Sequence, residues 1–290
     1  AAADKFAAAW HAELPQGGLD VAGILSGIES GSIKALYLAG TNPLVDFPES
    51  SRWRKALAKV DFLVVQDILA SDLTTLANVV LPGAATTEKR GSVTSLDNRV
   101  NNLRIAVDPP GEARPDLAIL ADLLARVTDK PAPSDAAIRQ EMFELGGVYS
   151  DVCQILEQRP FCWKEAYAPA NQSLTAAQPE LKAAPAADLQ LLIGKSRFQF
   201  GFSTTFSKAV ADLENEGGIE ISADDAAKLG VADGGRISLT GPAGSTTGSV
   251  KVSTQQPAGL MFAPYNYAAL NVQQVAAAGS NSVAVKAAKA

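Results

Sequence analysis

Three short apolar runs constrain this chain more than any other feature: Ala35 to Ala39, Phe62 to Val65 and Val79 to Leu81. Each has the length of a strand, and each ends in turn-forming or polar residues, the pattern of buried strands. Between them Glu49 to Lys59 carries Trp53 and Leu57 at helical spacing, and Ser71 to Ala77 is long enough for a short helix. Strands alternating with helices predict an α/β fold, here part of a parallel, Rossmann-like domain. Ligands of such sheets bind beyond the carboxyl ends of the strands, where Gly40, Thr41, Asn42, Asp67 and Pro82 fall. The same residue types also serve simply to turn the chain.

Asp67 is the most informative of these. A carboxylate just past a parallel strand can accept two hydrogen bonds from the donor edge of a guanine or from ribose hydroxyls. It can equally cap the next helix. Pro43 biases Asn42 away from helical angles, so the backbone leaves the sheet sharply there.

Around this centre the periodicity predicts a helix at Lys5 to Ala12, with Phe6 and Trp10 on one face, and another at Asp20 to Glu29, stopped by Gly31. Arg114 to Val127 has Leu117, Leu120, Leu123 and Leu124 on one face and is expected to cover the sheet. After Asp129 the composition changes. A helix through Met142 and Phe143 is followed by the Ala, Pro and Gln rich connector Gln172 to Ala187. From Leu189 the pattern is β: LQLLIG, GIEIS, RISLTG, GSVKVS and GLMFAP. One helix interrupts it at Ala223 to Leu229, opened by Ser222 and Asp225 and closed by Gly230. The expected division is 1–128, an α/β domain; 129–187, a helical connector; and 188–290, a β-barrel.

Composition excludes several classes of function. The net charge of −6 comes with 25 scattered basic residues, and no stripe of Lys and Arg offers itself to nucleic acid. Cys153 and Cys162 are too few for an iron–sulfur cluster or a structural zinc site, and two reduced thiols are expected. His11 is the only histidine, which leaves Ser-His-Asp or Cys-His catalysis without material. No apolar run approaches the roughly 20 residues that cross a bilayer. The chain does not begin with Met, and a piece of a longer protein is expected.

The runs LYLAGTNP, VVQD and VVLPGAATTEKRGSVTSLDNRV, followed by EISADDAAKLGVADGGRISLTGPAGS and GLMFAPYNYAALNVQQV, resemble the molybdopterin-dependent oxidoreductases. That superfamily includes formate dehydrogenase, nitrate reductase and the G subunit of respiratory NADH-quinone oxidoreductase (complex I). The resemblance covers most of the chain apart from about Asp129 to Asp188. It implies that the last domain is a double-psi β-barrel, that Thr86 to Arg99, with Gly91, Ser92 and Asn98, is a loop over the cofactor region, and that Gly40, Asn42, Asp67 and Asn271 stand where the family contacts a pterin dinucleotide.

The segment Lys195 to Lys208 departs from the family. Catalytic relatives place His and Arg there for pterin phosphates, whereas this chain has Phe200, Gly201 and Phe202, with Lys195, Arg197 and Lys208 nearby. The run FGFSTTFSKAVADL is closer to the complex I G subunit, where the fold is kept as scaffold. The resemblance therefore implies the C-terminal scaffold of an electron-transfer protein like that G subunit, with no catalytic residue or metal ligand of its own. No cofactor is assigned to this chain with certainty. Molybdopterin guanine dinucleotide is the one its relatives admit, and iron–sulfur clusters belong to an upstream part. The alternatives are the C-terminal part of a formate dehydrogenase-like catalytic subunit and a free-standing pterin or nucleotide carrier. Expected partners are the other subunits of a respiratory or formate-oxidising complex, in the cytoplasm or peripheral to the inner membrane, with no nucleic acid and no membrane insertion.

Overall fold

The structure is a computed structural model and describes residues 2–15, 17–96, 99–146, 161–162, 189–198, 201–213, 217–279 and 282–290. In chain order the first elements are α1 (Ala2–Trp10), α2 (Val21–Glu29), β1 (Ala35–Ala39), α3 (Pro43–Asp46), α4 (Ser50–Leu57), β2 (Phe62–Asp67) and β3 (Val79–Pro82). Next come β4 (Gly91–Thr94), β5 (Arg99–Leu103), α5 (Asp116–Thr128), α6 (Asp135–Leu145) and β6 (Phe161–Cys162). The last are β7 (Leu189–Gly194), α7 (Lys208–Ala211), β8 (Ile219–Ser222), α8 (Ala223–Leu229), β9 (Arg236–Gly241), β10 (Gly244–Ser253), β11 (Leu260–Pro264) and β12 (Ser282–Lys289). Two compact units result, one of residues 19–65, 69–80 and 179–290, the other of residues 1–18, 66–68 and 81–178.

The apolar runs at the centre of the chain become a three-stranded sheet in the order β1-β2-β3. Phe62 N donates to Lys34 O and Asn78 N to Leu63 O, so the strands start side by side, and Gly83 N donates to Asp67 O where β2 and β3 end. Strands that start together and end together run parallel. Leu63 and Val65 point into a core built with Leu25, Ile28, Leu44, Trp53, Ala56, Leu57 and Leu73. Asp20 caps α2 by accepting from Gly23 N. Arg52 on α4 forks onto both carboxylate oxygens of Glu29 at 2.7 Å, tying α4 to the end of α2.

Residues 189–290 close a six-stranded barrel, β10-β8-β11-β7-β12-β9. β7 runs parallel to β11 and β8 parallel to β10, while β11–β8, β12–β7, β12–β9 and β10–β9 are antiparallel. Its core is continuous, from Leu191, Ile193, Ile219 and Ile221 through Ile237, Leu239 and Met261 to Val283 and Val285. Ser222 caps α8 by accepting from Asp225 N, and Gly230 ends it in the left-handed region at φ 64°.

In the other unit α1 stacks Phe6 on Trp10 at 5.2 Å. Its Lys5 Nζ donates to the last carbonyls of α6, at Glu144 and Leu145, where a helix end presents unpaired acceptors and negative dipole. Two expectations are corrected here. Thr86 to Arg99 is not an open loop: after a 3-10 turn at Thr86–Glu88 it enters the antiparallel ladder β4-β5-β6, in which Val93 pairs with Asn101 and Val100 with Phe161. Asn98 lies outside the described residues. The Leu face of α5 is not the buried one either. The helix buries Ile119 and Ala121, while Leu120 and Leu124 stay 50% and 51% exposed and Leu123 is also exposed.

Candidate functional site

Gly40 ends β1 with φ 63°, a left-handed conformation that glycine adopts without steric cost, and a side chain there would meet nothing within 4 Å. Asn42 follows, buried, as the cap of α3. Its Oδ1 accepts from Leu44 N at 3.0 Å and its backbone N–H donates to Asp46 Oδ2 at 2.8 Å. Asn271 takes the left-handed region at φ 41°, which asparagine tolerates better than most residues, and opens the 3-10 turn Val272–Gln274. Its Oδ1 accepts from Ser50 Oγ at 3.0 Å.

The helix that Asn42 caps and the turn that Asn271 opens meet at one junction. α3 and α4 both pack against the 272–274 turn, and Glu49 N, just ahead of α4, donates to Gln273 O and Ala276 O at 3.0 and 3.1 Å. Ser51 Oγ adds a bond to Gln274 Oε1 at 3.4 Å. The segment from Tyr265 to Ala276 can lie so close to the barrel because glycines receive it. A Cβ on Gly241 would stand 2.4 Å from Val275 O, one on Gly248 2.5 Å from the Leu270 side chain, and one on Gly217 2.3 Å from the Tyr267 ring.

Within this segment Asn266 is wholly buried, and neither Nδ2 nor Oδ1 has a hydrogen-bond partner among the described residues. A buried amide left unpaired costs about 1–3 kcal/mol per group, so such a side chain marks a position that a ligand can satisfy. Sequence reasoning passed over Asn266. Its one signal was an amide between Tyr265 and Tyr267, in a run that otherwise reads as core. Its chain neighbour Tyr267 lines a groove of about 330 Å3, together with Arg236, Thr247, Ser249 and Leu270; Asn266 itself is not part of that lining.

Asp67 belongs to the other unit. Its Oδ1 accepts from Ile68 N at 2.7 Å and its carbonyl from Gly83 N. The neighbouring hub is Asp116 at the start of α5, which accepts from Gln66 Nε2 at 2.5 Å and from Lys89 Nζ. Burial pushes the Asp116 carboxyl up, but the bonds from Lys89 and Gln66 outweigh it and hold it below the usual Asp range. Lys89 is tied to Asp116 by this contact, and Glu88 accepts from Ala85 N.

The segment that departs from the family is described in part, Phe200 lying outside the described residues. Phe202 and Phe206 stack edge to face at 5.1 Å, and the Arg197 guanidinium sits 5.9 Å over the Phe198 ring. Lys195, Arg197 and Lys208 are exposed. Cys153, Trp163 and the Gln172 to Ala187 connector also lie outside the described residues. Among those described, no cluster of His, Cys, Asp and Glu could hold a metal ion, and no helix is long and apolar enough to cross a membrane.

Comparison with known proteins places residues 13–126 in the family described as molybdopterin oxidoreductase and residues 189–288 in the molydopterin dinucleotide binding domain. The chain is 36% identical over 290 residues to the NADPH-Fe(3+) oxidoreductase alpha subunit of Geobacter sulfurreducens, covering 98% of this chain and 33% of that protein. It is 32% identical over 282 residues to the G 2 subunit of NADH-quinone oxidoreductase from Rhizobium meliloti, covering 93% of this chain and 32% of that protein. It thus spans about a third of the length of these relatives. Among solved structures, acetylene hydratase from Pelobacter acetylenicus superposes with a TM-score of 0.73 over 93% of this chain and 46% of that one. At 16% identity that likeness speaks for the fold alone.

Proposed function

Since this chain belongs to the molybdopterin oxidoreductase superfamily, we propose that it is the C-terminal scaffold region of an electron-transferring protein like the G subunit of NADH-quinone oxidoreductase. On this reading the redox centres lie in other parts of the full-length protein, and the other subunits of its complex are its partners. The observation that carries it is how the candidate cofactor residues are spent. Asn271 holds Ser50, Asn42 caps α3 and Asp67 Oδ1 bonds to the N–H of Ile68, so one side-chain oxygen of each already serves the chain's own architecture. The names of the two relatives, both NAD(P)H-linked oxidoreductase subunits, point the same way. The paired parallel strands of the barrel, β7 with β11 and β8 with β10, support a double-psi topology.

One observation favours a second reading, the C-terminal part of a formate dehydrogenase-like catalytic subunit. Asn266 offers an unpaired donor and an unpaired acceptor, which fit the amide-like edge of a pterin or guanine ring. When bound, a molybdopterin dinucleotide supplies a two-electron redox metal. Asn266 is the side chain of this chain that would hold the ring, with Asn271 and Gly40 as further family positions.

Metal and pterin analysis of the purified full-length protein tests the choice. The scaffold reading expects iron without molybdenum, tungsten or fluorescent oxidised pterin. Stoichiometric molybdenum or tungsten with pterin would overturn it. Asn266→Leu is a second arm. On the scaffold reading, replacing two unpaired polar atoms by an apolar side chain leaves stability unchanged or raises it by about 1 kcal/mol. On the second reading the variant loses pterin.

A further inference from the structure

Six of the chain's arginines form two contrasting groups. Arg52, Arg54 and Arg114 each donate to a carboxylate, at 2.7, 2.8 and 2.6 Å. Arg90, Arg104 and Arg139 pair with no carboxylate among the described residues, and all three line one cavity of about 420 Å3, together with Asn102, Leu103 and Ile105. They arrive from separate places in the fold. Arg90 immediately precedes β4, Arg104 immediately follows β5, and Arg139 lies on α6. The register Gly91↔Leu103 sets the start of β4 beside the end of β5, so Arg90 and Arg104 flank the same end of the ladder.

Three guanidinium groups around one hollow repel each other, and arginine does not relieve that repulsion by losing a proton. In a chain of net charge −6, carboxylates are plentiful enough to pair the arginines elsewhere, yet none among the described residues lines this cavity. A guanidinium presents a planar fork of N–H donors that matches phosphate oxygens two at a time, and Asn102 adds an amide. Leu103 and Ile105 supply apolar wall. The volume lies in the range of small-molecule pockets, about 300–1,000 Å3. The three forks also converge on one hollow instead of following a stripe, as an acidic peptide would require.

We propose that this cavity binds a polyphosphate, either free pyrophosphate or the diphosphate of a nucleotide. The site belongs to a different compact unit from Asn266 and Asn271, and it does not depend on whether a pterin is bound.

Calorimetric titration of inorganic pyrophosphate and of ADP into the full chain tests it, alongside acetate and an oligoglutamate peptide. The expected result is saturable binding of pyrophosphate that weakens with added salt and is at least about tenfold weaker in Arg104→Gln and in Arg139→Gln. Circular dichroism and thermal unfolding establish that both variants remain folded; both substitutions sit at the cavity rim, outside the core. Tighter binding of ADP than of pyrophosphate identifies a nucleotide resting on Leu103 and Ile105, and equal binding identifies the free anion. No saturable heat from either phosphate at about 1 mM, where even weak specific sites register, overturns the proposal. Affinity unchanged in both variants, or binding of oligoglutamate alone, overturns it as well.

Discussion

Asp225 lies 3% exposed inside the barrel unit, held by two donors on one oxygen: Ser222 Oγ and Gly259 N, each at 2.7 Å. Lys228 stands 3.6 Å from the other oxygen. Burial pushes the carboxyl up, but the Ser222 hydroxyl, the Gly259 N–H and Lys228 together bring it below the usual Asp range. A carboxyl depressed on folding adds stability that is present above its unfolded value, about 3.9, and is lost as pH falls through the lower folded value. Asp225→Asn can keep both donors on its amide oxygen, but it removes the charge that strengthens those bonds and turns an N–H2 toward the Lys228 ammonium. It should cost about 2–3 kcal/mol at neutral pH in urea unfolding, and the gap to wild type should narrow below about pH 4. An equal gap at pH 7 and pH 3 would show that shape, not charge, sets the cost. The Ser222 to Asp225 spacing was legible in the sequence because a cap and its partner are local. Gly259, 34 residues away, was not, because only the fold brings it to the carboxylate.

The segment from Tyr265 to Ala276, whose one regular piece is the 3-10 turn Val272–Gln274, is held by glycines on the barrel side and by the start of α4 on the other. Thr246 Oγ1 also donates to Leu270 O within it. Its junction with α4 can be measured. Asn271→Ala loses the Ser50 bond and puts a Cβ residue less suited than Asn at φ 41°, at a combined cost of about 1–2 kcal/mol; Asn271→Gly keeps the backbone free and should cost less. A double-mutant cycle of Ser50→Ala with Asn271→Ala should give a coupling of about 0.5–1.5 kcal/mol, and a coupling near zero would show that the contact carries no energy. The elements that sequence periodicity placed well are those whose burial is local: β1, β7, β9 and α8 have the expected bounds. α5 was misread because four leucines on one face suggest burial, yet the helix turns Ile119 and Ala121 inward. β12 was overlooked because SVAVKAAK is rich in alanine, and the alternation of Val283 and Val285 is too short to stand out from helix. The β4-β5-β6 ladder escaped because β6 is two residues long and far along the chain.

At the scale of the molecule, the barrel core answers whether residues 189–290 form a body of their own. Every buried member of that core, from Leu191 to Val285, comes from the barrel stretch itself, and the strands close on one another without an edge. About 100 residues with a closed core is an ordinary domain, of stability roughly 5–15 kcal/mol. Yet the same compact unit includes residues 19–65 and 69–80, and Glu49 N satisfies the carbonyls of Gln273 and Ala276. Cutting the chain at residue 188 removes that donor and the Ser50 bond to Asn271, leaving the groups to water at the cost of about 1–3 kcal/mol. The fragment 189–290 is therefore expected to fold cooperatively, with dispersed amide resonances and a single urea transition, but to unfold at lower urea than the barrel within the whole chain. Exchange protection should fall first at Asn271 to Ala276, where the missing partners sat. A fragment with collapsed, undispersed resonances would mean that α4 is part of the barrel's folding unit. The division expected near residue 188 would then fail, and the α/β stretch with its barrel would have to be treated as one domain.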